Sequence, residues 1–500
     1  MPSQFVKEFD TPAYKGKVTV NTGVFINNEW RDGSDNTTID LINPTNGQAY
    51  AKISEGTAKD VDLAVEAAQK AFDTTWGLKT PGLARGELMW KLAFAMEEIQ
   101  DELAALEVLD NGKTFKDAKS IDVAAAIGCI KYYAGWADKN MGQQIETHEG
   151  KFAYTRHEPI GVVGQIIPWN FPLLMWSWKI GPALATGNVI VMKPSELTPL
   201  SALRCCDLIK KVGFPPGVIN VVTGYGQTVG NAISTHMKID KVAFTGSTLV
   251  GRKIMEGAAK SNLKKVTLEL GGKSPNIIFD DADIDTAVGW ASHGIYWNHG
   301  QACCAGSRIF VQEGIYDKFL TAFAKKAQSI QIGDPFGPET EQGPQVSEMQ
   351  YDRIMDYISS GKEEGATVHT GGERHGSEGY FIKPTIFTDT HPDMRIVKEE
   401  IFGPVGVVIK FKDVADMVRQ ANDTVYGLAA AIFTKDLNTA IETGHALKAG
   451  TVWINCINNL DPSVPFGGFK QSGIGRELGQ YALANYTNVK AVHVNLSMPI

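Results

Sequence analysis

Cysteine is scarce in this chain: six in 500 residues, at Cys129, Cys205, Cys206, Cys303, Cys304 and Cys456. Four of them form two adjacent pairs, which bridge internally only with severe strain. There is accordingly no disulfide framework, and a reducing, cytoplasmic setting fits best. Positive charge is also in short supply. Against 56 Asp and Glu stand 48 Lys and Arg, a net charge of −8, which argues against nucleic acid or an anionic membrane as the main partner. No apolar run reaches the ~18 to 20 residues needed to span a bilayer. The first twenty residues carry Glu8 and Asp10, contain no arginine and lack an apolar stretch, so they match neither a secretory signal nor a mitochondrial leader. They read as an N-terminal tail. Internal repeats and low-complexity segments are absent too.

What is present is an ordinary enzyme-like composition, 43% hydrophobic and 21% charged, in a chain too long for one core. After a short β-rich lead-in, helical spacing of apolar residues runs over 60–72 and 83–106. From 161 to 279 apolar β runs (161–167, 188–192, 218–222, 241–244, 266–270) alternate with helical runs (199–212, 227–236, 248–260). Strands that are continuously apolar and joined by helices predict a parallel sheet buried on both faces. A second series follows Ser274: strands over 276–279, 308–311, 405–411, 428–434 and 451–455, with helices from 284 towards 297 and over 316–330, 350–364, 414–421 and 437–447. The fold class is therefore α/β with two domains. Two β-like pieces, 142–157 and 488–496, fit neither domain and suggest a projecting arm that builds an oligomer.

Several segments carry chemistry. Gly224-Tyr-Gly-Gln-Thr-Val-Gly230 and Phe244-Thr-Gly-Ser-Thr-Leu-Val-Gly251 each leave a strand and enter a helix, where nucleotide folds place phosphates. The first is GxGxxxG and reads equally well as a tight turn. Lys193-Pro-Ser-Glu196 follows an apolar strand; its Lys and Glu suit a ribose diol, while a plain helix cap at Ser195 or Glu196 is the simpler reading. In Pro168-Trp-Asn-Phe-Pro172, Asn170 could serve as an oxyanion donor or belong to a rigid turn. Tyr296-Trp-Asn-His-Gly-Gln-Ala-Cys-Cys-Ala-Gly-Ser-Arg308 surrounds a cysteine pair with small residues. That pair admits three readings: buried core thiols, metal ligands with His299 and His293, or an activated nucleophile. Adjacent thiols without a second Cys/His cluster make poor zinc geometry. A His299–Cys303 dyad would suit a cysteine hydrolase. Upstream by 34 positions, Glu269 in Leu-Glu-Leu-Gly-Gly-Lys273 offers a lone carboxylate at the end of a β run.

Pro-Trp-Asn-Phe-Pro, Lys-Pro-Ser-Glu, Phe-Thr-Gly-Ser-Thr, Leu-Glu-Leu-Gly-Gly-Lys, Gly-Gln-Ala-Cys, Glu-Glu-Ile-Phe-Gly-Pro-Val and Pro-Phe-Gly-Gly-Phe-Lys stand here in one order. In that order they resemble the aldehyde dehydrogenases, specifically the hydrolytic, NAD(P)-dependent class acting on aliphatic, aromatic or betaine-type aldehydes. The resemblance spans roughly 20 to 496. It implies a Rossmann-variant cofactor domain over 21–140 and 160–271, a catalytic domain over 272–470, and an oligomerisation arm over 141–159 and 486–500. A homotetramer (dimer of dimers) or homodimer follows from it. No metal ligands are expected among the site residues.

The resemblance also assigns roles. Cys303 is the nucleophile and Glu269 the general base, with Asn170 and the Cys303 backbone N–H forming the oxyanion hole. Lys193 and Glu196 hold the adenosine ribose, Gly246, Ser247 and Gly251 the pyrophosphate, and Glu400 and Phe402 the nicotinamide side. Ile166 and Trp169 line the adenine side, with Gly226, Gly230 and Leu270 nearby. Phe171, Leu174, Met175, Trp178, Trp297, Ala302, Asn458, Leu460 and Phe466 line a tunnel without fixed charge. NAD is the expected cofactor because Glu196 repels a 2′-phosphate; Lys193 leaves some NADP use open. Acetaldehyde-like aliphatic aldehydes rank first as substrates, and betaine aldehyde stays open because a quaternary ammonium can stack on Trp178 or Trp297. Other readings are a CoA-dependent acylating relative, disfavoured by the presence of Glu269, and a catalytically silent structural relative, disfavoured by Cys303, Glu269 and Asn170 together.

Overall fold

The computed structural model describes residues 3–497; the ends of the expected tail (1–2) and of the arm segment (498–500) lie outside the described residues. Two large sheets organise the molecule. The first is built from the apolar runs of the first series. Its strands Val162–Ile166, Val189–Lys193, Ile219–Val221, Lys241–Thr245 and Lys265–Glu269 are parallel. Four of the five are buried along their whole length, while Lys265–Glu269 starts exposed and is buried only at Leu268 and Glu269. Burial on both faces is what continuous Val, Ile and Met runs dictate, each such side chain contributing about 1.5 to 3 kcal/mol.

Across this sheet the strands run Lys265–Glu269, Lys241–Thr245, Val162–Ile166, Val189–Lys193, Ile219–Val221. Chain order therefore reverses between Val162–Ile166 and Lys241–Thr245. Ligands bind beyond the carboxyl ends of the strands at such a switch point; here Ile166 ends one of the two strands, and Gly246 and Ser247 follow the other. Antiparallel edges close the sheet: Gly473–Ile474 on one side, Val24–Ile26 and Glu29–Arg31 on the other.

The second sheet orders Thr367–Thr370, Thr385–Thr388, Val405–Phe411, Arg308–Gln312, Pro275–Ile278, Ala429–Phe433 and Thr451–Ile454. All neighbours are parallel except the first pair. The strands at 367–370 and 385–388 were not legible from periodicity, being four residues each. A third, small sheet pairs Thr487–Asn495 with Lys151–Pro159 and the latter with Gln144–Ile145; these are the two arm segments, which find each other.

The stretch expected as a tail is structured. Gln4–Asp10 and Lys15–Asn21 form an antiparallel hairpin, and alternation puts Phe9, Val18 and Val20 into the core. A two-residue period in so short a segment is easily overlooked between Lys and Glu residues. A second hairpin, Thr38–Asn43 with Ile42 and Asn43 closing on Ala49 and Gln48 of Gln48–Ser54, follows it. No helix among the described residues is long and apolar enough to cross a membrane.

Candidate active site

The site brings together the carboxyl end of a first-sheet strand, at Glu269, and the loop that leads into the second-sheet strand Arg308–Gln312. The helix Ile284–Tyr296 ends, and the backbone then turns left-handed at Asn298 (φ 48°), His299 (φ 60°) and Gly300 (φ 74°). Left-handed geometry costs roughly 1 to 2 kcal/mol for a residue with a Cβ, so two such residues persist only if their surroundings impose it. Those surroundings are polar and buried. Asn298 Nδ2 donates to Asn170 O at 2.9 Å and to Gln301 O at 3.2 Å. Val346 N–H donates to Gln301 Oε1 at 3.0 Å. A Cβ on Gly300 would collide with the Gly403 carbonyl. The tightened loop delivers Cys303, partly exposed, and Cys304, buried, five residues before the strand Arg308–Gln312.

Glu269 is the last residue of its strand and is buried. Neither carboxylate oxygen has a donor at hydrogen-bonding geometry, and the Cys303 thiol lies alongside, close enough for the two ionisations to affect each other. Burial pushes the Glu269 carboxyl up to about 8; Lys179 and the Cys303 thiol pull it back, while Glu477 and Glu400 add to the rise. The Cys303 thiol is itself pushed up, first by Cys304, then by burial and by Glu269. Lys179 is buried and bonded to Glu477 at 2.5 Å and Thr245 Oγ1 at 2.7 Å. A carboxyl poised near neutrality next to a thiol has the properties of a base that takes and returns protons.

Asn170 is buried, and its Nδ2 donates to Gln301 O at 2.9 Å. An amide nitrogen carries two hydrogens, and this bond uses one of them. The turn holding Asn170 opens the helix Pro172–Ala185, every residue of which is buried. Proline at its first position needs no N–H partner.

The cofactor candidates cluster around the switch point. Lys193 Nζ pairs with Glu196 at 2.9 Å. A Cβ on Gly230 would sit 3.9 Å from Lys193 and 4.0 Å from Ile166. Ser247 caps the helix Thr248–Lys260 through its hydroxyl, and Gly251 lies against the Leu270 side chain. Gly272 N–H donates to Glu400 Oε1 at 2.9 Å, and burial raises Glu400 to about 7. Phe402, at φ 59°, meets Trp169 edge to face at 5.2 Å. Gly226 opens a π-helical turn, Gly226–Gly230, and a Cβ there would meet open space; no close contact ties it to the rest.

The aromatic candidates come together in two pairs. Phe171 and Trp297 have ring centroids 4.9 Å apart, and Trp178 and Phe466 5.5 Å. Phe171, Leu174, Met175 and Trp178 share one helix face by their three- and four-residue spacing. Ala302 is buried and Leu460 packs partly buried against the core. Asn458 Oδ1 accepts from Cys304 Sγ at 3.2 Å.

His299 and His293 are not brought to Cys303 as ligand or base. His299 Nε2 accepts from Gly343 N–H at 3.0 Å, and burial with the Lys113 charge lowers it to about 3. His293 stacks on Trp297 at 5.4 Å. Sequence reasoning missed Asn298, Gln301, Lys113 and the Lys179–Glu477 pair. Gln301 stood within a quoted motif without a role; the lysines carry no local signal that separates them from surface lysines.

Against known proteins, the family model described as "Aldehyde dehydrogenase family" matches residues 30–492. An aldehyde dehydrogenase of Agaricus bisporus is 71% identical over 497 residues, covering 99% of both chains. The structure of an NAD+ complex of aldehyde dehydrogenase from Bacillus cereus superposes with TM-score 0.94 at 51% identity, covering 95% of this chain and 97% of that one. Betaine aldehyde dehydrogenase from Staphylococcus aureus, in complex with NAD+, matches with TM-score 0.94 at 42% identity over 96% of each chain. A family model covering nine-tenths of the chain, joined to a geometry that sets a thiol beside a buried carboxyl, places the protein: the chain belongs to the aldehyde dehydrogenase family and is an enzyme of that kind.

Proposed function

We propose that this enzyme oxidises an aldehyde to the free carboxylic acid with NAD as hydride acceptor, through a thioester on Cys303 that water hydrolyses. The observation that carries the reading is the buried, unpartnered Glu269 carboxyl against the Cys303 thiol. The thiol loses its proton towards Glu269, and the sulfur attacks the aldehyde carbon, forming the C–S bond. Oxygen then takes the carbonyl electron pair and is held by Asn170 Nδ2 and the Cys303 N–H. A side-chain donor of this kind contributes about 3 to 4 kcal/mol. When bound, NAD supplies the acceptor for the hydride that leaves this carbon. As the hydride leaves, the oxygen's electron pair re-forms the carbonyl of the thioester, and Glu269 releases the thiol proton to solvent. The carboxylate then takes a proton from water, whose oxygen adds to the acyl carbon; the sulfur leaves as thiolate and recovers a proton from Glu269, and the acid departs.

The donor set fits the cofactor. Lys193 and Glu196 offer a donor and an acceptor to a ribose diol, the Thr248 hydroxyl at a helix start has no protein partner, and Glu400 is held at the Gly271–Gly272 turn for a second ribose. Mixing protein, NAD and propanal should raise NADH absorbance and yield propanoic acid without coenzyme A. A requirement for coenzyme A would overturn the hydrolytic reading. Running the same assay over an aldehyde panel, betaine aldehyde included, ranks the substrates.

Glu196 sets cofactor choice in this proposal. Its carboxylate accepts from a 2′-hydroxyl and repels a 2′-phosphate, so kcat/KM for NAD should exceed that for NADP by about tenfold or more, the equivalent of about 1.4 kcal/mol. Glu196→Gln should narrow that ratio. A wild-type preference for NADP would refute the assignment.

We further read the paired arm segments, with an exposed edge at Thr487–Asn495, as the surface through which copies associate into a dimer or a dimer of dimers in the cytoplasm. Residues 21–140 with 160–271 and residues 272–470 remain the proposed cofactor and catalytic domains.

A further inference from the structure

The main-chain oxygen of Asn170 accepts two buried donors, Asn298 Nδ2 at 2.9 Å and Lys113 Nζ at 3.0 Å. Lys113 is 2% exposed. It is bonded to Asp122, stands 3.9 Å from Glu107 Oε2, and lies 4.6 Å above the Phe171 ring. Other residues around the end of the same helix, Gln100–Asn111, hold the adjoining backbone. Asn111 Nδ2 donates to Trp169 O at 2.9 Å, and Glu107 Oε1 accepts from Leu173 N–H at 3.1 Å. Every residue from 169 to 173 except the proline thus touches this one cluster.

A buried lysine–carboxylate pair is a poor device for stability alone, because desolvation consumes much of the Coulomb gain and an apolar substitute often does as well. What an apolar residue cannot do is donate to Asn170 O. With that oxygen tied from two sides, the peptide plane after Asn170 cannot rotate, and the direction of its Cα–Cβ bond is set. The same cation lies over the Phe171 ring, which packs against Trp297 at 4.9 Å between centroids.

We infer that Lys113 is a positioning residue for the reaction: it acts through Asn170, holding the side-chain amide where the oxyanion forms. This rests on the reading of Asn170 as the oxyanion donor. Held geometry of this kind matters steeply, since a displacement of about 1 Å costs up to ~100-fold in rate.

The test is a pre-steady-state measurement of the NADH burst with the intact enzyme, NAD and propanal. Lys113→Met should slow the burst by about tenfold or more while the dissociation constant for NAD stays put. Because Asp122 left alone in the interior is destabilising, the paired variant Lys113→Met/Asp122→Leu is measured alongside and should show the same slowing. In an Asn170→Ala background the Lys113 substitution should change the burst by less than about twofold, the non-additivity expected of residues acting as one unit. An equal loss in both backgrounds, or no loss in either Lys113 variant, overturns the inference while leaving Asn170 in its role. If Asn170→Ala alone leaves the burst unchanged, the oxyanion assignment falls, and this inference with it.

Discussion

Replacing Cys303 by serine is expected to remove aldehyde oxidation by about four orders of magnitude or more, the scale on which loss of a nucleophile acts. A serine hydroxyl in this place stays protonated. Even the thiol, ordinarily ionising near ~8.5, is pushed higher here by Cys304, burial and Glu269, so attack depends on proton removal in step with C–S bond formation. Sulfur tolerates this because it is the more intrinsically nucleophilic atom. Cys304→Ala should keep most of the activity, since that thiol is buried and bonded to Asn458. Stopped-flow NADH formation separates the two. Retained oxidation in Cys303→Ser, or its loss only in Cys304→Ala, would move the nucleophile one position along.

The second large effect concerns Glu269→Gln. Steady-state turnover should fall by about 10² to 10⁴-fold, the usual contribution of a general base, while a burst of NADH near one per active site survives. Glutamine keeps the volume and removes the proton acceptor, so the thioester forms more slowly, the thiol proton passing to water instead, and then waits for hydrolysis. The pH dependence follows with a definite sign. Burial raises Glu269 to about 8, so below that pH the group is mostly neutral and idle as a base. Deacylation in the native enzyme should therefore rise by nearly tenfold per pH unit up to about 8 and flatten above it. In Glu269→Gln that inflection should vanish. The same substitution removes a negative neighbour of the thiolate, so alkylation of Cys303 above pH 8 should become easier. An unchanged steady-state rate in Glu269→Gln would refute the base assignment.

The parallel sheet was legible because its strands are uninterrupted runs of Val, Ile and Met, a pattern few other structures produce. The observed strands Val162–Ile166 and Lys241–Thr245 begin or end within a residue of the apolar runs. Short or alternating pieces were not legible. Gln4–Asp10 and Lys15–Asn21 hide Phe9, Val18 and Val20 among charged residues, and Gly226–Gly230 makes a π turn that glycine spacing does not foretell. At the site, motif order alone singled out Cys303, Glu269 and Asn170. The proximity of Cys303 to Glu269 could not be deduced from a separation of 34 positions along the chain.

What the sequence by itself determined is the chemical inventory and its scaffold: a thiol between small residues, a lone carboxylate at a strand end, glycines where strands enter helices, and apolar runs that can only be buried. These follow from local covalent and steric preferences and from the need to remove apolar surface from water. What only the tertiary structure decided is the state of each group. Glu269 is pushed up to about 8 because the fold buries its carboxyl. His299 is no base because a backbone N–H from Gly343 occupies its Nε2. Lys113 reaches Asn170 because two helix ends and a left-handed turn converge on one carbonyl oxygen. Solvation and long-range proximity are properties of the assembled interior, and no window of sequence contains them.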